Sequence, residues 1–147
     1  MNLKRSACLL FSLCLILSLL SINAVAAGPQ RSTLSVQTIK VMAGERIVSF
    51  EIRITAGAFR TISDLPLGWT VDIDNDASWH TKVAGSLMVG AAALSPEELK
   101  KLKFLMEKNE FEGLKFQIEG TVIVTEDFVK TRNIQLNSTN FRLTPAQ

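Results

Sequence analysis

Asp72, Asp74 and Asp76 stand at alternating positions and form the pattern in this sequence with the clearest potential for chemistry. Their spacing matches the first half of a D-x-D-x-D calcium loop, and calcium prefers hard oxygen ligands. The second half does not match, because Ala77 replaces the turn glycine and Val83 stands where a bidentate glutamate is required. We expect at most a weak Ca²⁺ site completed by distant residues. The alternative is the polar face of a strand that ends in an Asn-Asp turn.

Trp79 and Phe104 are the two aromatic candidates for a partner surface. Trp79 lies in a polar segment, where its ring is available either for a contact or for packing within a loop. Trp69 instead shares the phase of Val71 and Ile73, which favours the core. Phe104 falls on the charged side of a predicted helix, so either a neighbouring segment covers it or it marks a surface for a protein or glycan partner.

This sequence contains few side chains of the types that commonly act in catalysis. After residue 26 there is one histidine, His80, and there is no cysteine or tyrosine. Zinc sites usually draw on several histidine or cysteine ligands, and a serine nucleophile would have only His80 as its base. We therefore predict a protein that is not an enzyme. A carboxylate-dependent hydrolase is the alternative, because aspartates and glutamates are plentiful although no pair can be assigned to one cleft.

The N-terminus has the three parts of a cleavable secretory signal peptide. Lys4 and Arg5 form a short basic region, residues 7–20 are nearly all apolar, and small residues up to position 27 fit a cleavage site. We predict a signal peptide over 1–26 and a single domain over 27–147, which is secreted or periplasmic and has no stable membrane insertion after cleavage. Both cysteines, Cys8 and Cys14, lie in the predicted signal, so we predict a disulfide-free domain.

The predicted domain is formally neutral. Loss of Lys4 and Arg5 reduces the 16 basic residues to 14, against 14 acidic residues. A neutral domain has no overall field that attracts nucleic acid, so we predict no nucleic-acid partner.

Alternating hydrophobicity predicts several short strands. The clearest case is residues 48–54, where Val48, Phe50, Ile52 and Ile54 alternate with polar residues. Further alternating segments occur at 34–41, 69–73, 114–124 and 134–143. Turn-rich sequence separates these segments, as in antiparallel sheets.

One helix is predicted to begin after Ser95 and to end around Asn109. Ser95 and Glu98 form a capping box with a proline at the first helical position. The apolar stripe expected to pack on the sheet consists of Leu99, Leu102, Leu105 and Met106.

These patterns predict a mainly β protein, an antiparallel β-sandwich of immunoglobulin-like or cohesin-like architecture with one short α-helix. The predicted function is that of an exported, non-catalytic binding or structural domain of the cell envelope or the extracellular space. A carbohydrate- or calcium-binding module that uses Trp79 and Asp72–Asp76 is one alternative, and the hydrolase is the other. No cofactor is expected, apart from weakly bound Ca²⁺.

Overall fold

Nine strands and one short α-helix make up the part of the chain that the structure describes. This structure is a computed structural model, and it describes residues 30–77, 80–108 and 115–146. The elements are β1 (Gln30–Val36), β2 (Arg46–Thr55), β3 (Gly57–Ser63), β4 (Trp69–Ala77), β5 (His80–Leu87), α1 (Pro96–Lys101), β6 (Lys103–Lys108), β7 (Gln117–Thr125), β8 (Thr131–Leu136), a 3₁₀ turn (Ser138–Asn140) and β9 (Phe141–Pro145). Within these ranges no helix has the length and apolarity needed to cross a membrane.

The strands form two antiparallel sheets that pack as a β-sandwich. One sheet has four strands in the order β3-β6-β1-β9, and the other has five in the order β4-β5-β2-β7-β8. Every pairing between neighbouring strands is antiparallel. The predicted fold class, a mainly β antiparallel sandwich with one short helix, is confirmed.

The core between the two sheets is centred on a cluster of aromatic rings. Phe50 of β2 stacks on Trp69 of β4, with ring centroids 5.9 Å apart. The ring of Phe104 meets Phe50 edge-on at 5.8 Å and Phe59 at 6.2 Å. Offset and edge-to-face contacts of this kind add to the stabilisation from burial alone. Trp69 was predicted to be a core residue, and it is buried.

Gly85 of β5 makes room for this aromatic cluster. A Cβ atom at this position would lie 2.2 Å from Cζ of Phe50, which is far inside van der Waals contact. The glycine therefore lets the Phe50 ring lie directly against the β5 backbone. Close approach of a side chain to a strand backbone is a typical reason for a glycine inside a sheet.

The predicted helix starts where expected but is much shorter. The amide of Glu98 donates to Oγ of Ser95 at 3.2 Å, so the predicted cap is present. The helix ends at Lys101, and the chain continues as β6 from Lys103. The prediction of a helix up to Asn109 is wrong.

Phe104 lies in the core, so the prediction that it marks a partner surface is wrong. Its side chain is 0% exposed, and so are Leu102 and Met106. These three residues alternate along extended backbone and point to the same side, whereas a helix would place Phe104 away from the other two. The burial of a whole strand face outweighed the helical spacing of the leucines.

Candidate binding surface

Four loops lie together at one end of the five-stranded sheet. The register places Trp69 beside Leu87, and Arg46 beside Thr125, which in turn pairs with Thr131. The segments attached to these strand ends are residues 42–45, 64–68, 88–93 and 126–130. We call these four segments together the loop end.

Two hydrogen bonds join segment 88–93 to Gly68 and to Trp69 at the start of β4. The amide of Met88 donates to the carbonyl of Gly68 at 2.8 Å, and Nε1 of Trp69 donates to the carbonyl of Ala92 at 3.1 Å. Just beyond the second segment, Leu94 and Ile47 exchange backbone hydrogen bonds of 2.8 and 2.9 Å. The connection between β5 and α1 is thus tied at both ends, which restricts the positions its side chains can take.

A shielded ion pair connects segment 42–45 to β8. The guanidinium of Arg132 donates to both carboxylate oxygens of Glu45, at 2.6 and 3.1 Å, and the amide of Met42 donates to the same carboxylate at 2.6 Å. The Glu45 side chain is only 8% exposed. These donors, Arg132 first, lower the pKa of Glu45, while the carboxylate raises the pKa of Arg132.

The turn at 126–130 has a dense local network of hydrogen bonds. Oδ1 of Asp127 accepts from the amides of Val129 and Lys130, both at 2.9 Å, and these bonds lower the pKa of Asp127. The hydroxyl of Thr125 accepts from the Phe128 amide at 2.9 Å and donates to the Lys130 carbonyl at 2.7 Å.

Phe128 sits in this turn with a strained backbone. Its φ angle is +61°, in the left-handed region that bulky L-residues rarely adopt. Such strain persists only where the surroundings fix it, and it concentrates at functional positions. Here the network around Thr125 and Asp127 holds the turn in a shape that directs the Phe128 ring into solvent, where it is 66% exposed.

All six large apolar side chains that are exposed in the described part of the chain belong to the loop end. They are Met42, Leu67, Met88, Val89, Phe128 and Val129. Their exposure ranges from 52% for Met88 to complete exposure for Val89. Single exposed apolar residues are ordinary, but a cluster confined to one end of a domain indicates an interaction site.

A shallow depression of about 410 Å³ lies between two of these segments. Met88 and Val89 line one side, and Phe128 lines the other. No histidine, cysteine or carboxylate is among the described residues that line it. The depression can therefore receive an apolar group, but its walls offer no acid or base for catalysis.

The predicted calcium ligands do not form a loop. Asp72 and Asp74 lie in β4 opposite Ala84 and Lys82, which corresponds to the strand alternative. The backbone of Asp76 continues this strand, but its side chain lies outside the described residues. Alternate residues of a strand are about 6.6–6.8 Å apart, whereas a Ca²⁺ loop wraps its oxygens around one ion at about 2.3–2.6 Å.

Within the described ranges there is no group of three or more histidine, cysteine, aspartate or glutamate residues that could hold a metal ion. Trp79 lies outside the described residues, and so does the side chain of His80. The proposals for weak calcium binding and for a Trp79 contact therefore stay predictions.

The loop end was missed at the level of sequence, although a signal was present. Residues 64–68 and 125–127 have clear turn chemistry, yet Leu67 and Phe128 stand inside or next to these turns. Large apolar residues within polar turns are the sequence signal that could have identified this surface.

No protein-family model, no curated protein and no solved structure matches this chain. The immunoglobulin-like or cohesin-like topology accordingly stays a prediction.

Proposed function

We propose that this protein is an exported, non-catalytic binding domain that engages another protein through its loop end. The observation that carries this proposal is the confinement of all six exposed large apolar side chains of the described residues to loops at one end of the sandwich. Immunoglobulin-like domains present binding loops at the end of a rigid sandwich in the same general way.

The charges of the loop end favour a protein over an anionic membrane surface. Glu45 is neutralised by Arg132, and the remaining charged residues of the four segments are three carboxylates and one lysine. These are Asp64, Glu126, Asp127 and Lys130. Anionic lipid attracts basic loops, so an acidic rim disfavours it. The expected partner has an apolar pocket bordered by basic side chains.

The chemistry of the loop end also favours protein over glycan. Neutral sugars stack on aromatic rings, and Phe128 is the only aromatic residue among the six exposed apolar side chains. Leucine, valine and methionine instead fill apolar pockets, and methionine adapts to irregular ones. The hydrogen-bonded turn around Phe128 favours binding of either kind of partner, because a fixed loop loses less entropy on binding.

Site-specific photo-cross-linking tests this proposal. A photoreactive amino acid is introduced at Val129 in cells that produce the protein naturally, and a matched variant carries it at Glu119, an exposed residue near the other end of β7. We expect a discrete adduct with one protein from position 129 and none from position 119. The captured protein must then bind the purified wild-type protein directly. No adduct at either position, or equal adducts at both, would contradict the proposal.

A further inference from the structure

A second surface feature lies on the other sheet, where α1 meets the outer face of the four-stranded sheet. It is an open groove of about 790 Å³. Four cations and three hydroxyl side chains are among the residues that line it: Lys100, Lys101, Lys103, Arg142, Thr33, Ser35 and Thr144. We call this feature the basic groove.

The sheet register explains why these residues meet. Ser35 of β1 pairs with Arg142 of β9, and Thr33 pairs with Thr144 two positions further along. Their side chains lie on the face opposite the buried Leu34 and Val36. The floor of the groove is therefore a row of hydroxyls with an arginine at one end.

Cations from two further elements border this floor. Lys103 begins β6, which pairs with β1 on the side opposite β9. Lys100 and Lys101 form the last turn of α1. Two distant parts of the chain, residues 100–103 and Arg142, thus bring positive charge to one concave surface.

Among residues 30–77, 80–108 and 115–146, most of this positive charge has no ion-pair partner. Two carboxylates line the groove, Asp64 and Glu98, against four cations. Lys100 pairs with Glu97 at 3.1 Å, and Glu98 accepts a hydrogen bond from the Ser95 hydroxyl at 3.1 Å. In the described part of the chain, Lys101, Lys103 and Arg142 make no side-chain hydrogen bond or ion pair.

The same sheet face shows how this fold neutralises cations elsewhere. Arg31 and Arg60 converge on Glu107, at 3.2 and 2.9 Å. Glu107 has its pKa lowered, first by the hydrogen bond from Arg60. At one end of this face a carboxylate thus lies between two arginines and pairs with both. In the groove, by contrast, no carboxylate pairs with Lys101, Lys103 or Arg142 among the described residues.

The opposite outer face of the sandwich has a small excess of negative charge. On the five-stranded sheet, four carboxylates and three cations lie on the side opposite the core. They are Glu51, Asp72, Asp74, Glu119, Arg46, Arg53 and Lys82. The predicted domain is thus neutral only in sum, and the groove is a local excess of positive charge.

We propose that the basic groove binds a small ligand that carries two or more oxyanion groups, either phosphates or carboxylates. Arg142 offers a planar fork suited to such a group, and the lysines supply point charges. The hydroxyls of Thr33, Ser35 and Thr144 donate to oxygens between the charged groups. The ligand-binding side chains belong to the sheet face and α1, and segment 64–68 of the loop end borders the groove through Asp64 and Pro66.

Isothermal titration of the purified protein with three probes tests the proposal. Tripolyphosphate and trigalacturonate carry the two kinds of anion, and maltotriose is the uncharged comparison. We expect at least one anionic probe to bind in a salt-dependent manner and maltotriose not to bind. Binding of tripolyphosphate alone identifies a phosphate ligand, and binding of trigalacturonate alone identifies a carboxylate ligand. Failure of both anions to bind would overturn the proposal.

A pair of charge variants locates the site. The double variant Lys103→Gln with Arg142→Gln should lower the affinity for the anion by at least about tenfold. Loss of a single charge-assisted hydrogen bond is enough to produce an effect of this size. Lys82→Gln with Arg53→Gln removes the same residue types from the opposite face and should leave the affinity unchanged. Equal losses in both double variants would show a diffuse charge effect and overturn the site. If the groove variant folds poorly, hydrogen exchange of the wild-type protein tests the site instead. The bound anion should slow exchange of the backbone amides at Thr33 and Ser35. Unchanged exchange at these amides would refute the site.

Discussion

Replacing Phe104 by alanine separates the strand found here from the helix that its sequence also fits. Phe104 is completely buried and contacts the rings of Phe50 and Phe59. Truncation of a buried phenylalanine costs about 3–5 kcal/mol, and the two ring contacts place this one in the upper part of that range, about 4–5 kcal/mol. A domain of this size is stable by about 5–15 kcal/mol, so the loss is a large fraction of the total.

Urea unfolding of Phe104→Ala and of a matched variant measures this difference. Leu105 is the neighbouring residue on the opposite, half-exposed face of β6, so Leu105→Ala should cost about 1 kcal/mol. A helix with Leu105 in its apolar stripe requires the reverse order of losses. If Phe104→Ala costs no more than Leu105→Ala, the burial of Phe104 is refuted. If Phe104→Ala does not fold, Phe104→Leu should still lose about 1–2 kcal/mol.

Three further outcomes follow from the structure. Gly85→Ala should destabilise the protein by about 1–3 kcal/mol in urea unfolding, because the new Cβ overlaps the Phe50 ring; no loss would show that the ring is elsewhere. The pKa of Glu107 is lowered on folding from its ordinary value of 4.5, so this carboxylate stabilises the protein above that pH, and the stabilisation is lost as the pH falls through the lowered pKa. Melting temperatures should therefore fall less steeply below that pH in Glu107→Gln than in wild type, and equal slopes would contradict the ion pairs. Calorimetric titration with Ca²⁺ should give at most weak binding, since the aspartates of β4 lie along a strand; micromolar affinity would show that distant ligands complete a site.

The local pattern was sufficient to predict β2, the central strand of the five-stranded sheet. Phe50, Ile52 and Ile54 alternate in the sequence and are all buried. Val48 breaks the pattern, because the register of β2 shifts between Ile47 and Ser49 and turns it away from the core. The cap at Ser95 was also predictable, since it depends only on residues one turn apart.

The length of the helix was not predictable from the stripe alone. Leu102, Leu105 and Met106 have helical spacing, while Leu102, Phe104 and Met106 have strand spacing. The two patterns differ at Phe104 and Leu105, and the misfit of Phe104 on the apolar stripe of the helix was the signal that favoured the strand. The local preference for helix or strand could not decide between the two structures at residues 102–106. The strand forms because it buries Leu102, Phe104 and Met106 between the two sheets.

The two candidate surfaces depend on the topology rather than on local sequence. The loop end combines segments that begin at residues 42 and 126, and the basic groove combines Ser35 with Arg142. Such distant segments meet only once the order of the strands is known. Composition predicts a neutral domain after signal cleavage, but it gives no information on how the charges are distributed over the surface of the fold.

The affinity of the cross-linked partner for a loop-end variant is the most direct test of the central claim. Val89→Ser with Val129→Ser removes two exposed side chains outside the core, so its melting temperature should equal that of wild type. We predict that this variant binds the partner at least about 100-fold more weakly, as expected when two interface hot spots are lost. Gln117→Ser with Glu119→Ser, at the far end of β7, should bind like wild type. Wild-type affinity in the loop-end variant would contradict the claim that the loop end is the binding surface.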